Sequence, residues 1–164
     1  MPSDLMTLSL TTCSTTPGGI DAVELRGIQA SDRDALATAP LAAYPPAVAA
    51  TSLSDAQQEM DDTFAGEFGV LRHDLTRVAT FENRPVGAIL VVEKSIWDTE
   101  LDGPFIIDLF VHPDVRGMGV GRALLDTAVH ACERAGDATL SLRIGEGTSP
   151  AALALYTQTG FQQH

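Results

Sequence analysis

The residues with the clearest chemical capacity are Arg116-Gly117-Met118-Gly119-Val120-Gly121-Arg122. Glycines on alternate positions, directly ahead of a helical pattern, leave backbone N–H groups uncovered by side chains. The first turn of any helix carries unpaired donors and the positive end of the macrodipole, so glycines there let a phosphate approach closely. Arg116 and Arg122 flank this anion seat with charged donors. A turn that needs glycine only for positive φ explains one such residue better than a glycine series with an arginine on each side. Two common phosphate sites fail on spacing. A dinucleotide fingerprint needs a glycine where Arg122 or Leu124 stands, and a P-loop needs a lysine, whereas the single lysine here is Lys94.

Titratable residues near the seat are fewer. Asp108 lies in the apolar run Phe105 to Val111, and strict alternation sets it opposite Ile107 and Leu109. It reads as a general base, a substrate anchor or a satisfied buried carboxylate. His112 precedes Pro113 in a turn, where a histidine usually faces solvent. Tyr156, between Leu155 and Phe161, reads equally as a core tyrosine and as a proton donor. Cys132 falls on an apolar helical stripe and Cys13 in a Ser/Thr-rich stretch, so the pair makes a poor disulfide and fits a reducing compartment.

The elements that must position these groups follow from periodicity. Residues 105–111 read as a buried strand, 112–115 as a turn, and Val120 to Ala135 as a helix capped by Gly136, with Leu124, Leu125, Ala128, Val129 and Cys132 inward. Ala138 to Ile144 alternates as a strand covered on one face, and Ser149-Pro150 opens a last helix as N-cap and first-turn proline. Upstream, Ala22 to Gln29 reads as a strand, Ser31 to Asp34 as the N-cap of a first helix broken from Pro40 to Ala50, and Ser54 as the N-cap of a second. That helix turns Met60 and Phe64 inward and its acids outward. Leu75 to Phe81 and Val86 to Glu93 form a hairpin, and Trp97 in the next loop is expected to pack on the sheet. Residues 1–20, rich in Ser and Thr, read as a low-complexity tail ahead of a single domain over 21–164.

Two blocks in this order carry a resemblance. The stretch with Arg116, Gly119 and Gly121 resembles the acyl-coenzyme A signature of the GNAT acyltransferases, R/Q-x-x-G-x-G/A. The stretch Ser149 to Phe161 resembles their later helix, N-x-x-A-x-x-L-Y-x-x-x-G-F, with Ser149 in place of the opening Asn. The resemblance implies an α+β fold with a mixed, mostly antiparallel sheet and helices on both faces. It implies acetyl-coenzyme A as acyl donor, no metal, and N-acetylation of a primary amine on a small molecule or a protein.

It further implies that backbone groups of Leu109, Phe110 and Val111 receive the pantetheine arm. Gly117, Met118, Gly119, Val120 and Gly121, with Arg116 and Arg122, hold the pyrophosphate, and Ser149 lies at the cofactor. Tyr156 protonates the leaving thiolate. Asp108 is the candidate base, because Ile107 stands where such proteins often carry a glutamate. That replacement, with Ser149, leaves a non-catalytic acyl-coenzyme A binding or sensing module as the alternative. The resemblance also implies two strands beyond Gly160-Phe161, for which only Gln162 to His164 remain. An open edge along Ala138 to Ile144 is therefore expected, to be covered in a longer protein or a homodimer.

The whole chain bounds these readings. Its 164 residues, 45% hydrophobic and 20% charged, fit one globular domain. A formal charge of −12 argues against nucleic acid, which is bound through phosphate neutralisation, and favours a cationic acceptor only weakly. The longest apolar run, Val86 to Val92, is too short to span a bilayer, so a soluble, cytoplasmic protein without a membrane partner is expected.

Overall fold

The computed structural model describes residues 4–10, 23–43, 52–145 and 148–163, with backbone alone over 40–43. In chain order its elements are β1 (Leu5–Ser9), β2 (Val23–Arg26), α1 (Arg33–Ala43), α2 (Leu53–Ala65), β3 (Arg77–Phe81), β4 (Arg84–Val92), β5 (Phe105–Val111), α3 (Val120–Ala135), β6 (Thr139–Arg143), α4 (Pro150–Thr159) and β7 (Gln162–Gln163). The strands form one sheet in the order β2-β3-β4-β5-β6-β1-β7. Neighbours are antiparallel except β5 and β6, which the α3 crossover makes parallel. This is the expected α+β architecture with a mixed sheet. Among the described residues no helix is long and apolar enough to cross a membrane.

Helices cover both faces. On one, Leu124, Leu125, Ala128, Val129 and Cys132 of α3 pack on Val86, Ile89 and Val91 of β4 and on Leu140 and Leu142 of β6. On the other, Leu36 and Ala37 of α1 and Met60 of α2 meet Val78, Ala88, Leu90, Phe105 and Phe110. Strand β4 is buried from Val86 to Val92 because both its faces are covered, which is why it reads as a continuous apolar run. The hairpin into it turns on Glu82 and Asn83, both at positive φ (51° and 64°), as a two-residue turn of this twist requires.

Strand β1 changes the expected edge. Residues 5–9, read as part of a tail, pair antiparallel with β6 from Leu5↔Arg143 to Ser9↔Thr139, and β7 pairs β1 on its far side. The ladder extends through Ile144 N→Asp4 O (2.8 Å) and Leu10 N→Ala138 O (2.9 Å). Leu5, Met6, Leu8 and Leu10 are all buried, and Thr7 Oγ1 lies 3.0 Å from Ser141 Oγ across the pair. Strand β6 therefore lies between β5 and β1, and the open edge that called for a second copy is filled. The signal was hidden because the pairing joins segments 134 residues apart and the strand borders a Ser/Thr-rich stretch. Of that stretch, residues 11–22 lie outside the described residues, as do 44–51.

Helix starts also differ from the expected caps. The N-cap of α2 is Ser52, whose hydroxyl accepts from Asp55 N at 3.1 Å, rather than Ser54. Ahead of α1, Gln29 caps a 3-10 turn over Ala30–Asp32 in place of Ser31. Buried Asp32 accepts from Gln29 N (2.8 Å) and pairs through both oxygens with Arg26. Burial works against the charge of Asp32, but Arg26 and the backbone donor hold its carboxyl below the usual range. Helix α1 continues through Pro40 to Ala43, so the break expected at this proline does not occur there.

Candidate active site

Strand β5 departs from regular geometry where the chemistry is expected. Its register against β4 runs Leu90↔Asp108 and then Val91↔Ile106, so Ile107 is an extra residue in a bulge. Ile107 packs toward the α1–α2 face and Leu109 toward the α3 face, so the two do not share a side as strict alternation required. On the other flank, the parallel ladder with β6 covers only Phe105↔Ser141 and Ile106↔Leu142. No pair beyond Ile106↔Leu142 joins β5 to β6 among the described residues, so the parallel ladder ends level with the bulge.

The elbow stands at the far end of β5. His112 Nδ1 accepts from Asp114 N (3.1 Å), closing a 3-10 turn over Pro113–Val115, so this histidine serves the turn. Gly117 and Gly119 both lie at φ 81°, a left-handed conformation that costs glycine little. Gly119 is the N-cap of α3, and the first helical bond is Ala123 N→Gly119 O (3.0 Å). The N–H groups of Val120, Gly121 and Arg122 thus precede the ladder, at the positive end of a helix spanning Val120–Ala135. Arg116, Gly117, Met118 and Gly119 are exposed. An anion reaching this turn meets backbone donors and no acidic side chain between Val115 and Arg122.

Gly121 has a different part. A Cβ there would sit 3.7 Å from Leu155 Cδ2 and 3.8 Å from Val111 Cγ2. The elbow, the end of β5 and α4 therefore converge at this glycine. Arg122, read as a flanking anion donor, hydrogen-bonds Gln158 Oε1 on α4. Periodicity gave no sign of that bridge, because Gln158 lies 36 residues further along the chain.

Helix α4 carries the remaining groups. Ser149 is its N-cap and accepts from Ala152 N at 3.1 Å, so its hydroxyl oxygen holds the helix start. Tyr156 is buried at 7% exposure, edge-on to Phe161 with ring centroids 5.8 Å apart. Burial, with the charge of Asp108 added, pushes its phenol up to about 12. The structure thus brings Tyr156 and Asp108 within electrostatic reach from α4 and β5. Cys132 is fully buried in the α3 core and its thiol is likewise pushed up to about 12, mainly by burial, as suits a structural thiol. No group of residues able to hold a metal ion occurs among those described.

A profile of the acetyltransferase (GNAT) family matches residues 40–161. The chain belongs to that family. Curated relatives include a ribosomal protein bS18-alanine N-acetyltransferase of Escherichia coli, 36% identical over 69 residues, a match covering 42% of this chain and 46% of the relative. The match thus spans about half the length of that relative. Among solved structures, a GCN5-related N-acetyltransferase from Sphaerobacter thermophilus superposes with a TM-score of 0.72 at 19% identity, over 98% of this chain and 47% of that one. The Escherichia coli ribosomal-protein alanine N-acetyltransferase does so with a TM-score of 0.65 at 21% identity, over 85% of this chain and 77% of that one. At these identities the superpositions show the GNAT fold alone.

Proposed function

We propose that this GNAT domain transfers an acetyl group from acetyl-coenzyme A to a primary amine of a small molecule or a protein, in the cytoplasm. The observation that carries the reading is convergence. The helix N-terminus at the elbow lies beside the end of β5 and α4 through Gly121, the parallel ladder of β5 ends at a bulge, and the buried phenol of Tyr156 on α4 feels the charge of Asp108 on β5. The elbow fits a pyrophosphate through its glycine conformations and its N–H groups. The stretch Leu109, Phe110 and Val111, past the last pair with β6, lies where an extended pantetheine arm would run beside β5.

In the proposed reaction the neutral amine attacks the thioester carbonyl, the C–N bond forms, and the C–S bond breaks. The leaving sulfur takes a proton from Tyr156, and the new ammonium loses one to Asp108. With its phenol at about 12, Tyr156 is fully protonated at neutral pH. It is also a weak acid for a thiolate whose ordinary value is about 8.5. Protonation of Asp108 by the incoming amine removes the charge that helps hold the Tyr156 proton, so base and acid assist one another. The bS18-alanine N-acetyltransferase among the relatives supports a polypeptide N-terminus as one acceptor class.

The test is release of free thiol from acetyl-coenzyme A in the presence of a panel of amines. Amine-dependent release supports the transferase. Tight binding of acetyl-coenzyme A with no release on any amine supports the sensing module, which the apolar packing of Ile107 at the bulge also fits.

A further inference from the structure

The loop between β4 and β5 turns two large apolar side chains outward on a rigid frame. Trp97 is 56% exposed and Ile96 47% exposed. The Trp97 ring packs on Phe105 of the sheet (centroids 6.2 Å apart, tilted 51°), as the sequence leads one to expect, yet the residue stays largely open to solvent. The frame beneath is polar and buried. Ser95 Oγ accepts from Trp97 N (3.1 Å) and Asp98 N (3.0 Å) and donates to Asp98 Oδ2 (3.1 Å). Asp98, 2% exposed, binds the guanidinium of Arg143 at the end of β6, and Arg143 Nη1 reaches Asp4 Oδ1 (2.8 Å) ahead of β1. A loop fixed in this way loses little freedom when something binds it.

The rim is acidic. Glu93, Glu100 and Asp102 are exposed in the same loop as the apolar pair, and the only base of the loop, Lys94, is paired with Asp102 at 3.4 Å. A second copy meeting this patch through two-fold symmetry would set these acids against their own equivalents. A cationic partner meets no such opposition. The patch also has a fixed relation to the chemistry. Phe105, under Trp97, is the first residue of β5 and lies three positions before Asp108. At about 3.3 Å per residue that is roughly 10 Å along the strand, a span of a few extended residues.

We propose that the Ile96–Trp97 loop is a docking surface for a polypeptide acceptor, specifically a lysine- or arginine-bearing segment with an apolar anchor placed a few residues from the acetylated amine. This rests on the N-acetyltransferase reading and names its acceptor class. Tryptophan is the residue type most enriched among interface anchors, and the acids supply charge selection around it.

Trp97 is the single tryptophan of the chain, so its fluorescence reports this loop alone. A synthetic peptide carrying leucine with several lysines and arginines is titrated in, beside a peptide with those bases replaced by glutamate. The expected result is a saturable change in Trp97 emission with the basic peptide, weakened by salt and absent with the acidic one. Ile96→Ser should raise the peptide KM by at least ~10-fold, the scale of one anchor, and leave small-amine kinetics unchanged. Glu100→Gln with Asp102→Asn should flatten the salt dependence. No emission change with millimolar basic peptide, an equal response to the acidic peptide, or an unchanged peptide KM in Ile96→Ser would each overturn the proposal. So would an emission change that follows protein concentration alone, since it assigns the patch to a second copy. The acetyltransferase reading fails separately: peptide binding by Trp97 without thiol release on any amine keeps the docking surface and removes the reaction.

Discussion

Asp108 on β5 and Tyr156 on α4 are electrostatically coupled: the carboxylate adds to burial in pushing the phenol of Tyr156 up to about 12. The two residues are 48 positions apart in the chain and meet because the α3 crossover brings β6 and α4 back beside β5. Asp108→Asn should therefore lower the Tyr156 value while burial keeps it above an ordinary phenol. Ultraviolet titration of tyrosinate, with Tyr44 as the only other tyrosine, reads the shift. An unmoved Tyr156 titration would contradict the coupling.

Tyr156→Phe should leave acetyl-coenzyme A affinity nearly unchanged and lower kcat by roughly 10- to 1,000-fold, the range for loss of a proton donor. Steady-state kinetics beside calorimetric binding separates the two effects. An unaltered kcat would return this tyrosine to the role of a core ring against Phe161.

The elbow glycines should respond unequally. Gly119, at φ 81°, disfavours any side chain, and Gly119→Val should weaken acetyl-coenzyme A binding by at least ~10-fold. A Cβ at Gly121 meets Leu155 and Val111 only at ordinary contact distances, so Gly121→Ala should be tolerated. The branched chain of Gly121→Val wedges β5 from α4 and should weaken binding like Gly119→Val. Calorimetry across the three variants checks the order.

Gly87→Ala should destabilise the fold through β5. A Cβ on Gly87 would stand 2.8 Å from Phe110 O, a backbone atom that cannot swing aside, in the strand that leads into the elbow. A loss of about 1–3 kcal/mol, the usual cost of overpacking, is expected in chemical denaturation.

Stability should fall above about pH 9. Folding tightens the protons on Cys132 and Tyr156, raising them from ordinary values of 9.0 and 10.0 to about 12. Groups raised in this way stabilise the fold fully below those ordinary values and lose that contribution as pH climbs through the folded ones. Thermal melts from pH 7 to pH 12 should show the decline, with Cys132→Ala delaying its onset.

Much of the fold was legible because its signals are local. Phe105–Val111 and Val120–Ala135 fall where the apolar runs and flanking glycines put them, and Ser149-Pro150 opens α4 as cap and first-turn proline. What sequence could not show depends on partners far along the chain. The bulge at Ile107 exists only relative to β4, the bridge of Arg122 to Gln158 joins two helices, and β1 pairs with a strand at the other end of the chain. A strict two-residue period also set Ile107 and Leu109 on one side, and one inserted residue undid it.

The central claim is that the site beside β5 moves an acetyl group onto nitrogen. The direct measurement is mass spectrometry of a basic peptide with a free N-terminus after incubation with isotope-labelled acetyl-coenzyme A, for the wild-type chain and for Gly119→Val. Labelled acetyl is expected on a peptide amine with the wild type, at a rate at least ~10-fold lower with the variant. Equal labelling by both proteins, or none by the wild type on any peptide or small amine, would contradict it.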